Sequence, residues 1–465
     1  RLGLVQRVTR KPEDELERML SRLQAGEFIY EQPAAGDVEY IFKHALTQEV
    51  AYNALLIERR KLLHERAGLA LESMFAEQLD DHLGELTHHF SRSDNVAKAV
   101  EYLERAGQQA LQRSAYADAI SSLSAAIDLL QKLPDSPERI QREVLLQLSV
   151  GPAAIAVKGY AAPETERAYT RMRELCERAG DPPELFPALF GLWIVYLLRG
   201  ELRRAYALAE HLLRLAQSAH DPALPLYARS ALGNTSFWMG ELLLAREHLE
   251  MAISLYDPER HRPLIFRYGG ADAGVRSLSY ASMTLWQLGY PDQALKRGNE
   301  ALALAQGLSH PFSVAFAEFS FSRLRQSRRE ARAVQETAEA LIALSFEHGL
   351  TDPLAWATLL RGWAIADQGR REEGIAQIQE GLAASRATGA ELWRPYFLCQ
   401  LAEACIETGR LDNGMSALTE ALDIADRHEE REHEAEIHRL KGELLLRRQD
   451  LSNATEAQSC FQRAI

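Results

Sequence analysis

Residues 233–252 read GNTSFWMGELLLAREHLEMA. Within them Gly233, Gly240, Ala245, Leu249 and Ala252 set a spacing that returns elsewhere in the chain. Gly107, Ser114, Ala119, Leu123 and Ala126 keep the same offsets, as do Gly362, Gly369, Gly374, Ile378 and Gly381. The landmark is a small residue with Ala or Gly five positions on. It recurs at Ser114/Ala119, Gly200/Ala205, Gly240/Ala245, Gly289/Ala294, Gly369/Gly374 and Gly409/Gly414, with a weaker copy at Gln326/Ala331. From Gly200 the steps are 40, 49, 37, 43 and 40 residues. A period of this size marks a helical solenoid. Solenoids bind and organise more often than they catalyse.

The offsets resemble the tetratricopeptide repeat, in which small residues let two antiparallel helices approach and a large apolar residue fills the gap. In 241–256, Leu242, Ala245, Leu249, Ala252, Ile253 and Tyr256 fall on one stripe of a helix. One helix pair cannot bury that stripe, but stacked neighbours can. About eight pairs are expected over 79–465, the last half-copied by Ala457, Phe461 and Ala464 after a longer loop. The pair at 140–180 fits poorly, because Pro152, Gly159 and Pro163 interrupt it.

Composition narrows the function. The 465 residues are 46% hydrophobic and 26% charged, with a formal net charge of -13. An acidic balance argues against nucleic acid as partner, since phosphate binding needs concentrated basic surface. No apolar run reaches the length of a membrane span, and no signal peptide opens the chain. A cytoplasmic location follows as the expectation. Cys176, Cys399, Cys405 and Cys460 are few and widely spaced, so they are read as small core residues. The chain starts at Arg1 without Met and stops at Ile465 inside an apparent repeat, so a piece of a longer polypeptide is expected.

Residues 1–75 differ. Glu13 to Leu23 reads as a helix, and Phe28–Tyr30 and Val38–Phe42 as short strands with Pro33 and Gly36 between them. Helices are expected from about Lys43 to Leu55 and from Glu58 to Met74. Helix, hairpin, helix is the outline of the back half of a winged-helix domain.

Three stretches carry a family resemblance: Tyr40–Leu46 with Gln48–Tyr52, then Arg59–His64, and Leu255 to Ala294 with its Tyr268-Gly269-Gly270 and Trp286 to Ala294. The first two resemble the segment just after the ATPase core of bacterial multidomain signalling ATPases. The third is similar to the tetratricopeptide tail of the group that joins a class III adenylate/guanylate cyclase domain to an AAA-type ATPase. Ala271 and Ala273 depart from the pattern, standing where that group has His and Pro. The resemblance implies that the cyclase and nucleotide-binding core lie upstream of Arg1 and act as this region's partners. In agreement, no G-x-x-x-x-G-K-[ST] occurs, so this region is expected neither to hydrolyse nor to cyclise ATP and to hold no cofactor.

The resemblance also singles out His44. In related ATPases a winged-helix His approaches the nucleotide's β-phosphate and helps hold the ADP-bound off state, and His44 stands in the similar place, at a helix start that favours a phosphate. The plainer alternative is a His that caps or packs that helix. A second candidate is the 256–274 insertion, which lengthens one repeat to 49 residues. His261, Arg262, Arg267, Tyr268 and Asp272, with Phe266 beside them, can line a ligand pocket or contact the ATPase core. The alternative is a folded loop whose Tyr and Asp hold the repeats together. The six tryptophans are read as core. His82, His88 and His89 lack a third ligand at metal spacing, so no metal site is expected.

The expected protein is an all-α, tetratricopeptide-like solenoid preceded by a winged-helix-like remnant with a short hairpin. Its expected role is to sense an unknown protein or small-molecule signal and control the upstream ATPase and cyclase. Two alternatives stay open: the sensor solenoid of an ATP-dependent transcription activator, and a free-standing scaffold or chaperone adaptor.

Overall fold

The structure is a computed structural model and describes residues 1–34, 37–180, 182–219, 221–448 and 453–465. The chain divides into two compact units, one of residues 1–113 with 118–139, the other of 114–117 with 140–465.

The first unit opens on a helix, Leu2–Thr9, that the sequence reading did not anticipate. Helix Glu13–Ala25 buries Leu16 and Leu20 against Ile29. Strands Ile29–Ala34 and Asp37–Phe42 pair antiparallel, with Ile29 opposite Phe42 and Glu31 opposite Tyr40. The expected turn residue Gly36 lies outside the described residues. Helices Ala45–Asn53 and Ile57–Met74 follow, close to the expected spans. Later helices Leu83–Phe90 and Val96–Gln112 pack Leu86, Phe90 and Tyr102 into one core with Leu71.

The second unit is a tetratricopeptide-like α-solenoid, and the small residues act as the spacing implies. A Cβ on Gly233 would stand 2.6 Å from Leu249 Cγ. Gly107, in the first unit, meets Leu123 Cγ at the same distance, and Gly362 meets the Ile378 backbone nitrogen at 2.8 Å. Gly442 lies against Phe461 in the last pair. At each site the absent side chain is what admits the partner helix.

The weak copy is corrected. Gln326 is buried inside helix Pro311–Ser327. The turn residue equivalent to Gly240 is Arg329, at φ 59, and Val334, Ala338 and Leu341 take the places of Ala245, Leu249 and Ala252. Measured through Arg329, the steps from Gly200 become 40, 49, 40, 40 and 40 residues. The search for small residues missed it because Arg there adopts the left-handed conformation that Gly favours. Pro152 is a second difference: helix Pro137–Lys158 runs through it and ends before Gly159, at φ 95.

The two helices of a repeat play different parts. First helices such as Leu185–Leu198, Leu224–Trp238 and Ala273–Gln287 are buried almost all round. Second helices such as Leu202–Ser218 and Leu242–Leu255 bury one stripe only. An all-round apolar helix belongs to an interior layer and an amphipathic one to an outer layer. Aromatic rings fill the interior: Trp393 lies 4.8 Å from both Trp238 and Phe319, and Phe319 stacks on Trp356 at 4.8 Å. Five of the six tryptophans (Trp193, Trp238, Trp356, Trp363, Trp393) are buried, as are all four cysteines.

A seam joins distant repeats within this unit. The Tyr160 amide donates to Asp352 Oδ2 at 2.8 Å. The Glu391 and Leu392 amides donate to the Leu198 carbonyl at 2.9 and 3.1 Å, and the Arg431 amide donates to the Trp238 carbonyl at 2.9 Å. Gly159, Gly200 and Gly240 sit at these crossings, where an added Cβ would stand 2.6–2.9 Å from Asp352, His428 and Arg431. Tyr160, Leu198 and Trp238 thus each meet partners 192 to 194 positions later.

Candidate functional site

The expected loop folds upon itself. Residues Pro258–His261 form a helical turn, capped by the Asp257 carboxylate, and Ile265–Tyr268 form another. His261 is buried, stacked on Tyr256 at 5.6 Å, with Nδ1 2.9 Å from the Asp257 backbone. Tyr268 stacks on Tyr227 at 3.8 Å and meets Phe186 and Phe190 edge-on. Asp272 caps helix Ala273–Gln287, Oδ1 accepting from the Gly274 and Val275 amides at 2.8 and 3.1 Å. Burial raises its pKa, against those bonds. Ala273, where the resembling group has Pro, is the first residue of that helix, a place where Pro is well tolerated. Arg267 pairs with Glu184 at 3.8 Å, and exposed Arg262 donates to the Leu308 carbonyl at 3.4 Å. Three of the five expected side chains are therefore held in packing and capping, and the two arginines remain partly open.

His44 is exposed, and its backbone caps helix Ala45–Asn53, the carbonyl accepting from the Thr47 and Gln48 amides. Its side chain makes no capping bond. That helix buries nothing: Leu46 and Val50 stand exposed on it, and Leu56 and Ile57 just after it. His82 stacks on Phe75, apart from a cluster that the sequence reading missed. There His64 Nδ1 lies 3.0 Å from His89 Nδ1 and His64 Nε2 2.9 Å from the Tyr52 hydroxyl, with His88 adjacent. Burial lowers all three histidine pKa values, that of His89 to about 4. No group suited to a metal ion occurs among the described residues.

The site with the most chemistry in the second unit was not read from sequence. A cavity of about 680 Å³ is lined by Met283, Trp286, Arg323, Tyr396, Glu432 and Arg439, among others. Arg323 forms its buried wall, with its guanidinium 4.3 Å from the Tyr396 ring centroid, 5.0 Å from Trp393 and 5.6 Å from Trp238. Among the described residues Glu432 Oε1 pairs with it at 3.4 Å, and the Glu430 carboxylate acts on it from nearby. Glu432 also accepts from Gln287 and lies against His433, whose pKa burial holds well below the usual value. Glu430 is buried nearby with both carboxylate oxygens lacking a hydrogen-bond partner, and its pKa is well raised by burial. Glu430 and Glu432 flank Arg431, whose amide closes the seam at Trp238. The cavity and the seam therefore share one short segment, residues 430–433.

No protein-family model matches the chain. An uncharacterized protein of Rhizobium meliloti, R02095, is 26% identical over 430 residues, covering 91% of this chain and 41% of its own length. The chain thus spans well under half of that curated relative. Among solved structures, a Rap protein complexed with Competence and Sporulation Factor matches at a TM-score of 0.55 and 10% identity, over 78% of this chain and 96% of that one. NprR in complex with its cognate peptide NprX matches at 0.51 and 12%, over 82% and 97%. These likenesses show the fold, a helical-repeat solenoid. Among the described residues no helix is long and apolar enough to cross a membrane.

Proposed function

We propose that this chain is the non-catalytic sensor region of a larger signalling protein, binding a peptide, protein or small molecule inside its second unit. One observation carries the reading: the 680 Å³ cavity ends on a buried, weakly paired Arg323–Glu432 contact, and Glu432 stands next to a residue of the seam. A ligand that binds one arrangement of that segment better than another shifts the balance by its differential affinity, and no more. Of two solenoids of like fold, NprR is described in complex with its cognate peptide and the Rap protein with Competence and Sporulation Factor, which supports a bound ligand, a peptide among the candidates.

The finer reading is control of an upstream nucleotide-switch ATPase and class III cyclase on the same polypeptide, with 1–75 as the back half of a winged-helix domain. It rests on the motifs at Tyr40–His64 and Leu255–Ala294, and on a relative much longer than the matched region. His44, exposed at a helix start, is free to reach a bound nucleotide. The test is His44→Ala in the protein expressed from its complete reading frame. The reading expects faster ADP release and raised basal activity; unchanged ADP retention and activity would remove His44 from the switch.

A further inference from the structure

Arg323 is 5% exposed, yet its charge is poorly satisfied. A guanidinium offers five N–H donors, and its strong partner is a carboxylate held by two parallel bonds of about 2.8 Å. Here Nη2 reaches Glu432 at 3.4 Å, Nη1 points at the Met283 sulfur at 3.1 Å, and Nε is buried without a partner. The Tyr396 hydroxyl also bonds it, and Tyr280 and the Glu430 carboxylate act on its charge from nearby. Leaving a buried cation so loosely paired is costly. Among the acids, Glu436 holds Arg439 at 2.7 and 2.8 Å, whereas Glu432 keeps Gln287 and Arg323 on Oε1 and leaves Oε2 without a hydrogen bond, and burial raises the pKa of unpartnered Glu430. The donors left unmet on Arg323 call for a forked acceptor.

We propose that the cavity takes a ligand carrying a carboxylate, which grips Arg323 through both oxygens and displaces Glu432. The idea rests on the sensor reading above and adds its ligand chemistry. Met283, Trp286 and Phe461 supply apolar wall for the remainder of the ligand, and the volume suits a short peptide or a small organic acid. Displacement has a structural consequence. Glu432 adjoins Arg431, whose amide holds the Trp238 carbonyl, so a carboxylate at Arg323 frees the segment that closes the seam.

The probes are a pool of tripeptides with free C-termini, the same pool amidated, and phenylpropionate as a small acid, each equilibrated with the whole chain and read by affinity-selection mass spectrometry. The wild type should retain free-acid peptides or phenylpropionate at least ~10-fold better than amides, a bidentate carboxylate bond being worth about that much. Peptide retention and phenylpropionate retention separate the two sources of the carboxylate. Glu432→Gln should tighten binding, and Arg323→Gln should erase the preference for the acid. If Arg323→Gln does not fold, Arg323→Lys, which keeps the charge and loses the fork, should lower the preference instead. Equal retention of acids and amides, or a preference that survives loss of the fork, overturns the carboxylate proposal and leaves a ligand cavity standing. No retention of any probe by a folded wild-type chain overturns both.

Discussion

The Tyr160 backbone amide donates to the Asp352 carboxylate at 2.8 Å, joining two repeats 192 positions apart. Asp352 is buried, and Gly159, just before Tyr160, is pressed so close to it that a Cβ would stand 2.8 Å from Oδ1. Burial raises the Asp352 pKa from 3.8 to about 6, although Tyr160 and Thr388 donate to it. A carboxyl whose pKa is raised by folding favours the folded state below its unfolded pKa and loses that advantage as pH rises through about 6. Asp352→Asn keeps an acceptor and removes the charge. Its melting temperature should gain on the wild type as pH rises from 5 to 7.5. Asp352→Ala, which orphans the Tyr160 amide, should cost about 1–3 kcal/mol in denaturant unfolding.

The histidine cluster of the first unit has the opposite sign. His64, His88 and His89 are held neutral by burial first, and by the Arg60 and Arg92 charges and one another second. Groups whose pKa falls on folding stabilise above their unfolded value near 6.5, and that contribution is lost as pH falls toward about 4. Stability followed by circular dichroism should therefore decline between pH 6.5 and 4.5, and His89→Gln should flatten the decline.

Two glycines separate close approach from backbone conformation. Gly233→Ala drives a methyl into Leu249 Cγ at 2.6 Å and should cost about 1–3 kcal/mol. In a double-mutant cycle, Leu249→Ala should recover part of that loss. Gly289 has nothing within 4 Å but holds φ 82. Gly289→Ala should cost about 1–2 kcal/mol, and no neighbouring truncation should relieve it.

Arg262 and Arg267 carry what remains open of the expected loop site. Arg262→Ala with Arg267→Ala should leave thermal stability within about 1 kcal/mol, because both arginines make only long or exposed polar contacts. If that loop also meets a ligand or the ATPase core, regulation in the complete protein will change; an unaltered response leaves the loop a packing element.

The fold was legible because its repeat is written in local residues. Gly233 and Leu249 touch within one helix pair, so their spacing along the chain reports their contact. Arg329 shows the limit: backbone conformation, not residue size, defines the turn, and a search for Gly or Ala slid three positions to Gln326. The loop was recognised by its length, but the packing of Tyr268 on Tyr227 was not, since stacking depends on where the neighbouring repeat falls. The seam and the Arg323–Glu432 contact were illegible for a stronger reason. Their residues stand 192 and 109 positions apart; the seam follows the repeat on each side, but nothing in the spacing says which repeats meet across it. His64, one of three clustered histidines, was likewise hidden on a different helix from His88 and His89.

The central claim is that the cavity and the seam form one coupled element. Amide hydrogen exchange of the second unit in Glu432→Gln measures this without a ligand. The account predicts faster exchange at the Arg431 amide together with Tyr160, Glu391 and Leu392, the seam loosening as a unit. Acceleration confined to residues 430–433, with the Tyr160 and Glu391 amides unchanged, would contradict it.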